Sequence, residues 1–154
     1  MFGPYKIVGP LGRGGMGEVY HARDDRLGRD IALKALREED AEDADLVTRF
    51  EREARAASSL NHPNIVVVYE AGAASVPGRE SPIHYLAMEL IDGEPMSASV
   101  GGEPMPVRRF LDLATQLADG IARAHESGII HRDLKPSNVY VTSGTEPAGS
   151  GPGE

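Results

Sequence analysis

The 154-residue chain contains no cysteine, which removes disulfides, thiolate nucleophiles and cysteine-ligated zinc together. A reducing cytoplasm is the natural compartment for such a chain. Long apolar runs are missing too. None approaches the roughly 18–20 residues that cross a bilayer, so no membrane segment is expected. The N-terminus, Met1-Phe2-Gly3-Pro4-Tyr5, lacks the basic head and apolar core of a signal peptide. Basic residues are few: 16 Lys and Arg stand against 24 Asp and Glu, a formal charge of −8. A nucleic-acid binder needs clustered cations to displace counterions from phosphates, so that class of partner is disfavoured.

What is present is an ordinary globular composition, with 40% hydrophobic and 26% charged residues. The acidity concentrates in Glu38-Glu39-Asp40-Ala41-Glu42-Asp43-Ala44-Asp45. Such a run is usually a solvated face, and here it precedes a helical pattern whose dipole it complements.

Three strands separated by turns open the chain: Lys6–Val8, Glu18–Ala22 and Asp30–Leu36, with hairpin-turn chemistry at Asp24–Arg29. Leu46, Phe50, Ala54, Ala57 and Leu60 recur at helical spacing, and Pro63 ends that helix. Ile65–Tyr69 and His84–Leu90 are strand-like, with a Gly/Ser/Pro loop over Ala71–Pro82 between them. Ile91–Pro106 lacks periodicity and suits a linker with a short helix at best. A long amphipathic helix follows over Val107–Ser127, carrying Phe110, Leu113, Ala114, Leu117, Ile121 and Ala124 on one stripe and stopped by Gly128. Val139–Val141 is again strand-like. The tail from Ser143 to Glu154 has nothing to bury and is expected to be disordered.

Gly12-Arg13-Gly14-Gly15-Met16-Gly17-Glu18-Val19 is a GxGxxGxV run between two strands. Glycines there let the backbone approach phosphate oxygens with no Cβ in the way. Alone, such a run is more commonly a ligand-free Gly-rich hairpin. A dinucleotide fingerprint is disfavoured because the run leads into a strand, not a helix. Ile31-Ala32-Leu33-Lys34 places a lysine on a strand otherwise built for burial. A buried lysine needs a partner, and Glu53 lies beside the apolar stripe of the first helix. A solvated lysine and a surface glutamate are the plainer alternatives. His131-Arg132-Asp133-Leu134-Lys135-Pro136-Ser137-Asn138 then sets five polar functional groups between Ile129-Ile130 and Val139-Tyr140-Val141. His21, His62, His84 and His125 show no mutual metal-ligand spacing and are assigned to packing.

In this order the three motifs resemble a eukaryotic-type protein kinase of the bacterial serine/threonine branch, nearly continuously from Tyr5 to Val141. The resemblance implies an α+β fold. A small ATP-binding lobe over residues 5–91 would have a five-stranded antiparallel sheet and one helix. A linker would span 92–106, and the start of a helical large lobe 107–142. It implies that Gly12, Gly14 and Gly17 cover the phosphates of ATP, with Leu11, Val19 and Ala32 against the adenine. Lys34 would hold the α- and β-phosphates and be held by Glu53. Met88 would guard the back of the pocket, and the Glu89 and Ile91 backbones would bind the base. Asp133 would accept the proton of a protein Ser or Thr hydroxyl, Lys135 would neutralise the moving phosphoryl group, and Asn138 would hold Mg2+. Arg132 resembles the arginine that reads an activation-loop phosphate.

Family members carry Asp-Phe-Gly roughly a dozen residues after that asparagine, whereas this chain reads Ser150-Gly151-Pro152-Gly153. The expectation is therefore a kinase domain cut short, inactive as this chain alone, because losing a magnesium clamp costs on the order of 10²–10³ in rate. Exposure of the later helix's apolar face would favour aggregation or dimerisation. The alternative function is a non-catalytic ATP-binding or interaction module.

Overall fold

The computed structural model describes residues 2–14, 17–41, 43–75, 81–99 and 105–142. Two hairpins begin the chain: β1 (Tyr5–Gly14), β2 (Gly17–Asp24) and β3 (Arg29–Ala35). The β2–β3 turn is built by Asp24. Its buried carboxylate accepts the amides of Arg26 at 3.1 Å and Leu27 at 3.3 Å. Gly28 then supplies φ of +66°, a conformation that costs glycine nothing.

After a short helix, α1 (Glu38–Ala41), comes α2 (Ala44–Ser58). The acidic run here has a specific task. Asp43 is the N-cap, accepting from the amides of Asp45 and Leu46 at 2.9 and 3.3 Å, which satisfies donors that the helix itself leaves open. Phe50 and Ala54 are buried on the inward stripe of α2. The helix packs mainly against β4 (Val68–Ala74), and β5 (Ile83–Glu89) completes an antiparallel sheet of order β1-β2-β3-β5-β4. This is the expected five-stranded sheet with one helix.

Two assignments need correcting. The strand expected at Ile65–Tyr69 begins only at Val68, and it continues to Ala74 through residues expected to form a loop. Ile65 is instead turned back, its amide bonding the His62 carbonyl at 3.0 Å. It rests beside Gly120, where a Cβ would come within 3.2 Å of the Asn64 carbonyl and 3.6 Å of Ile65 Cγ1. The β-branched residue thus packs on a helix. Ala71-Gly72-Ala73-Ala74, with little strand preference, is held in the sheet by its pairing to β5.

The core is one face of the sheet: Tyr5, Ala22, Ile31, Leu33, Ala35, Ala74, Ile83, Tyr85 and Ala87, flanked by Phe2, Ile7 and Tyr20. Two tyrosines carry polar ends into it, and Glu70 receives both. The Tyr5 hydroxyl donates at 3.2 Å and the Tyr85 hydroxyl at 2.8 Å. Burial, reinforced by the Glu70 carboxylate, pushes both phenols above their ordinary range, so they stay protonated donors.

Beyond β5 come β6 (Gly93–Pro95), α3 (Met96–Ser99), α4 (Val107–Glu126), a 3₁₀ turn (Pro136–Asn138) and β7 (Tyr140–Thr142). β6 and β7 pair, tying the linker to the strand after the polar loop. α4 ends as expected: Gly128 takes φ of +75°, and its amide bonds the His125 carbonyl at 2.9 Å. Leu113, Ala114, Leu117, Ile121 and Ala124 are half-buried, whereas Val107, Phe110 and Leu111 are exposed. Among the described residues no helix is long and apolar enough to cross a membrane. The tail expected to be disordered, 143–154, lies outside the described residues.

Candidate active site

Alternation along β3 separates two faces of the sheet. Ile31, Leu33 and Ala35 enter the core, so Ala32 and Lys34 point to the opposite side. Residues directly opposite in an antiparallel ladder share a face. Val19 and Leu86 therefore accompany Lys34, Met88 accompanies Ala32, and Gly12 accompanies Val19. Gly12, Val19, Ala32, Lys34 and Met88, five of the residues expected around a nucleotide, thus lie on one face, beneath a hairpin whose glycines end β1 and begin β2.

Gly12 has no atom within 4 Å of where a Cβ would stand, so this part of the hairpin faces open space. Gly17 is different: a Cβ there would sit 2.2 Å from the Ala35 carbonyl oxygen. Close packing of β2 on β3 beside Lys34 demands a glycine at that position. Gly14 pairs with Gly17 at the hairpin tip, Leu11 is exposed, and Gly15 and Met16 lie outside the described residues.

At the end of β5, the Glu89 amide is committed to the Val67 carbonyl at 2.9 Å. The Ile91 amide has no hydrogen bond among the described residues. Ile91 is half-buried, two residues beyond the end of β5.

The polar loop gathers its functional groups tightly. Asn138 Nδ2 donates to the Asp133 carbonyl at 2.8 Å and to its carboxylate Oδ2 at 3.1 Å. Lys135 Nζ lies 3.0 Å from the same Oδ2. The Asp133 amide in turn donates to the His131 carbonyl at 2.8 Å, and Arg132 is the one non-glycine residue with positive φ, +61°, among the described residues. Lys135, then Asn138, hold the Asp133 carboxyl below its ordinary range against the opposing effect of burial. The carboxylate is therefore ionised at neutral pH and fixed in direction. The loop is exposed throughout.

One expected pairing is not made. Glu53 is exposed and binds Arg49 one turn earlier on α2, Nε to Oε1 at 3.0 Å. Lys34, half-buried, has no ion pair or side-chain hydrogen bond among the described residues. The i,i+4 partner on the same helix is always within reach of Glu53, whereas Lys34 belongs to another element. Other contacts were not foreseen from the sequence. His84 Nδ1 lies 3.3 Å from Glu51 Oε1, linking β5 to α2, and His62 Nε2 lies 3.2 Å from Asp119 Oδ2, linking the turn after α2 to α4.

Among the described residues an unpaired cation, Lys34, and an open glycine stem at Gly12 share one face of the sheet, which is compatible with an anionic ligand such as a nucleotide. A magnesium ion finds less. No group of three or more His, Asp or Glu among the described residues could hold a metal. Asn138 Oδ1 would be one ligand from the chain, and magnesium ordinarily completes its shell with waters and substrate phosphates.

Comparison with known proteins bears on this geometry. The family described as "Protein kinase domain" matches residues 5–146. The chain belongs to the protein kinase family. It is 43% identical over 141 residues to a probable serine/threonine-protein kinase of Streptomyces coelicolor, covering 91% of this chain and 21% of that one. To the serine/threonine-protein kinase PknB of Mycobacterium leprae it is 41% identical over 140 residues, covering 90% and 22%. The crystal structure of the Mycobacterium tuberculosis PknI kinase domain superposes with a TM-score of 0.77 at 34% identity, covering 94% of this chain and 57% of that one. The kinase chain described here thus spans about a fifth of the length of these curated relatives. Its sheet and α2 correspond to the small lobe of a kinase domain.

Proposed function

We propose that this chain binds ATP and takes part in transferring its γ-phosphoryl group to Ser or Thr hydroxyls of proteins. The carrying observation is the convergence of Lys135 and Asn138 on the Asp133 carboxylate within 3.1 Å. Asp133 orients the attacking hydroxyl and takes its proton as the new P–O bond forms and the bond to ADP breaks. Lys135 spreads positive charge beside the moving group, and Lys34 does so at the α- and β-phosphates. Gly12, Gly14 and Gly17 bring backbone amides close to phosphate oxygens. Val19 and Ala32 present apolar surface to the base, and the Ile91 amide donates to it. Magnesium, when bound, would neutralise the β- and γ-phosphate charge, with Asn138 as the ligand from this chain. The cytoplasm, which supplies ATP, is the proposed compartment.

A second reading, nucleotide binding without transfer, is favoured by one observation: Glu53 holds Arg49 and not Lys34. Transfer of label from γ-labelled ATP to a basic Ser/Thr peptide, measured with the rest of a kinase large lobe, Asp-Phe-Gly included, joined after Thr142, separates the two. The first reading expects phosphoserine or phosphothreonine that Asp133→Asn lowers at least about a hundredfold. Nucleotide binding with no Asp133-dependent transfer establishes the second.

A further inference from the structure

The tip of the Gly-rich hairpin carries a side-chain cluster that the nucleotide reading does not use. Arg13 and Glu18 are register partners one step below the Gly14–Gly17 pair. Glu18 Oε1 accepts from Arg13 Nε at 2.7 Å and also from Nη2, while Oε2 accepts from the Tyr20 hydroxyl. Tyr20 is half-buried and packs on the core. Glu18 stands opposite Ala35, and Tyr20 opposite Leu33, so both occupy the core face. Val19 between them faces the other way, with Lys34.

We propose that Arg13, Glu18 and Tyr20 form a brace on the outer side of the hairpin, and that Arg13 and Glu18 are positioning residues for the phosphate-binding loop. This rests on the nucleotide-binding reading. β1 is an edge strand, bonded only to β2, and its pairing slips at Pro10–Gly12 just before the tip. Gly12, Gly14 and Gly17 offer no side chains to hold the two stems together. The brace supplies that tie from the face that phosphates do not occupy, anchoring the loop through Glu18 to the tyrosine in the sheet. Neither Arg13 nor Glu18 touches substrate in this arrangement. The carboxyl of Glu18, held below its ordinary range by Tyr20 and then Arg13, remains a charged acceptor at neutral pH.

The test uses the full chain and four proteins: wild type, Arg13→Glu, Glu18→Arg and the double charge swap. Amide exchange over residues 12–19 and calorimetric affinities for ATP and adenosine are the readouts. Each single reversal is expected to speed exchange at the tip and weaken ATP about two- to fivefold, the range of an exposed ion pair. Adenosine affinity stays unchanged. The swap restores the tie with reversed polarity and should return both readouts to within about twofold of wild type. A swap as impaired as the single variants, or single variants indistinguishable from wild type, overturns the brace. If the exchange pattern holds in a chain that binds no ATP, the tie stands and the nucleotide reading fails.

Discussion

Replacing Gly17 with alanine asks how closely the phosphate hairpin is fitted to the strand that carries Lys34. The added Cβ would lie 2.2 Å from the Ala35 carbonyl, whereas contacts under 3.0 Å are essentially never observed. β2 and β3 must therefore part by about 0.8 Å at that end of the ladder, and the obstruction is backbone, which cannot rotate aside. Overpacking of this kind costs about 1–3 kcal/mol, which for a domain of this size lowers Tm by roughly 4 °C per kcal/mol. The same shift moves the glycine stem relative to Lys34, so ATP affinity should fall with stability. Gly12→Ala is the control. Nothing lies within 4 Å of its Cβ, so its Tm should stay within about 2 °C of wild type, corresponding to roughly 0.5 kcal/mol. Thermal unfolding followed by circular dichroism reads the difference. Equal melting temperatures for the two variants would refute the close packing of β2 on β3.

Two more outcomes follow from the polar contacts. Tyr85→Phe removes one of the two hydroxyls on Glu70 and should cost about 1–3 kcal/mol in urea unfolding, with ATP affinity unchanged because this network lies on the core face. The Asp133 carboxyl is held below its ordinary range by Lys135 and Asn138. The stabilisation it brings is therefore present above the unfolded value of about 3.9 and is lost as pH falls through the lower folded value. Amides of Asp133, Leu134, Lys135, Ser137 and Asn138 should exchange with constant protection from pH 5 to 8 after correction for intrinsic rates, and lose it only below about pH 4.

Short-range chemistry made most of this molecule legible. Asp24 and Gly28 specify their turn, Gly128 stops α4, and the alternation Ile31-Ala32-Leu33-Lys34 tells the core face from the lysine-bearing face. The polar loop was readable because its groups meet within eight residues of chain, so spacing nearly fixes contact. Contacts between distant elements were not. The i,i+4 spacing always offers Arg49 to Glu53, but whether Lys34 also comes within reach depends on where α2 sits, which nothing local says. The Ile65–Tyr69 segment has every local mark of a strand, yet Gly120, far along the chain, leaves room for Ile65 to pack on α4. Arg13 and Glu18 did leave a signal, since opposite charges symmetric about a hairpin tip fall in register. The pair of tyrosines on Glu70 left none, because Tyr5, Glu70 and Tyr85 meet only once three strands are in place.

The central proposal is that Lys34 and the glycine stems, on the face opposite the core, form an ATP site together with the Ile91 amide. Calorimetric titration of wild type and Lys34→Ala with ATP and with adenosine tests it most directly. Removing a cation that bonds phosphate should weaken ATP about 10- to 100-fold, the equivalent of roughly 1.5–3 kcal/mol, and leave adenosine within about twofold. Equal ATP affinity in the two proteins would contradict the account.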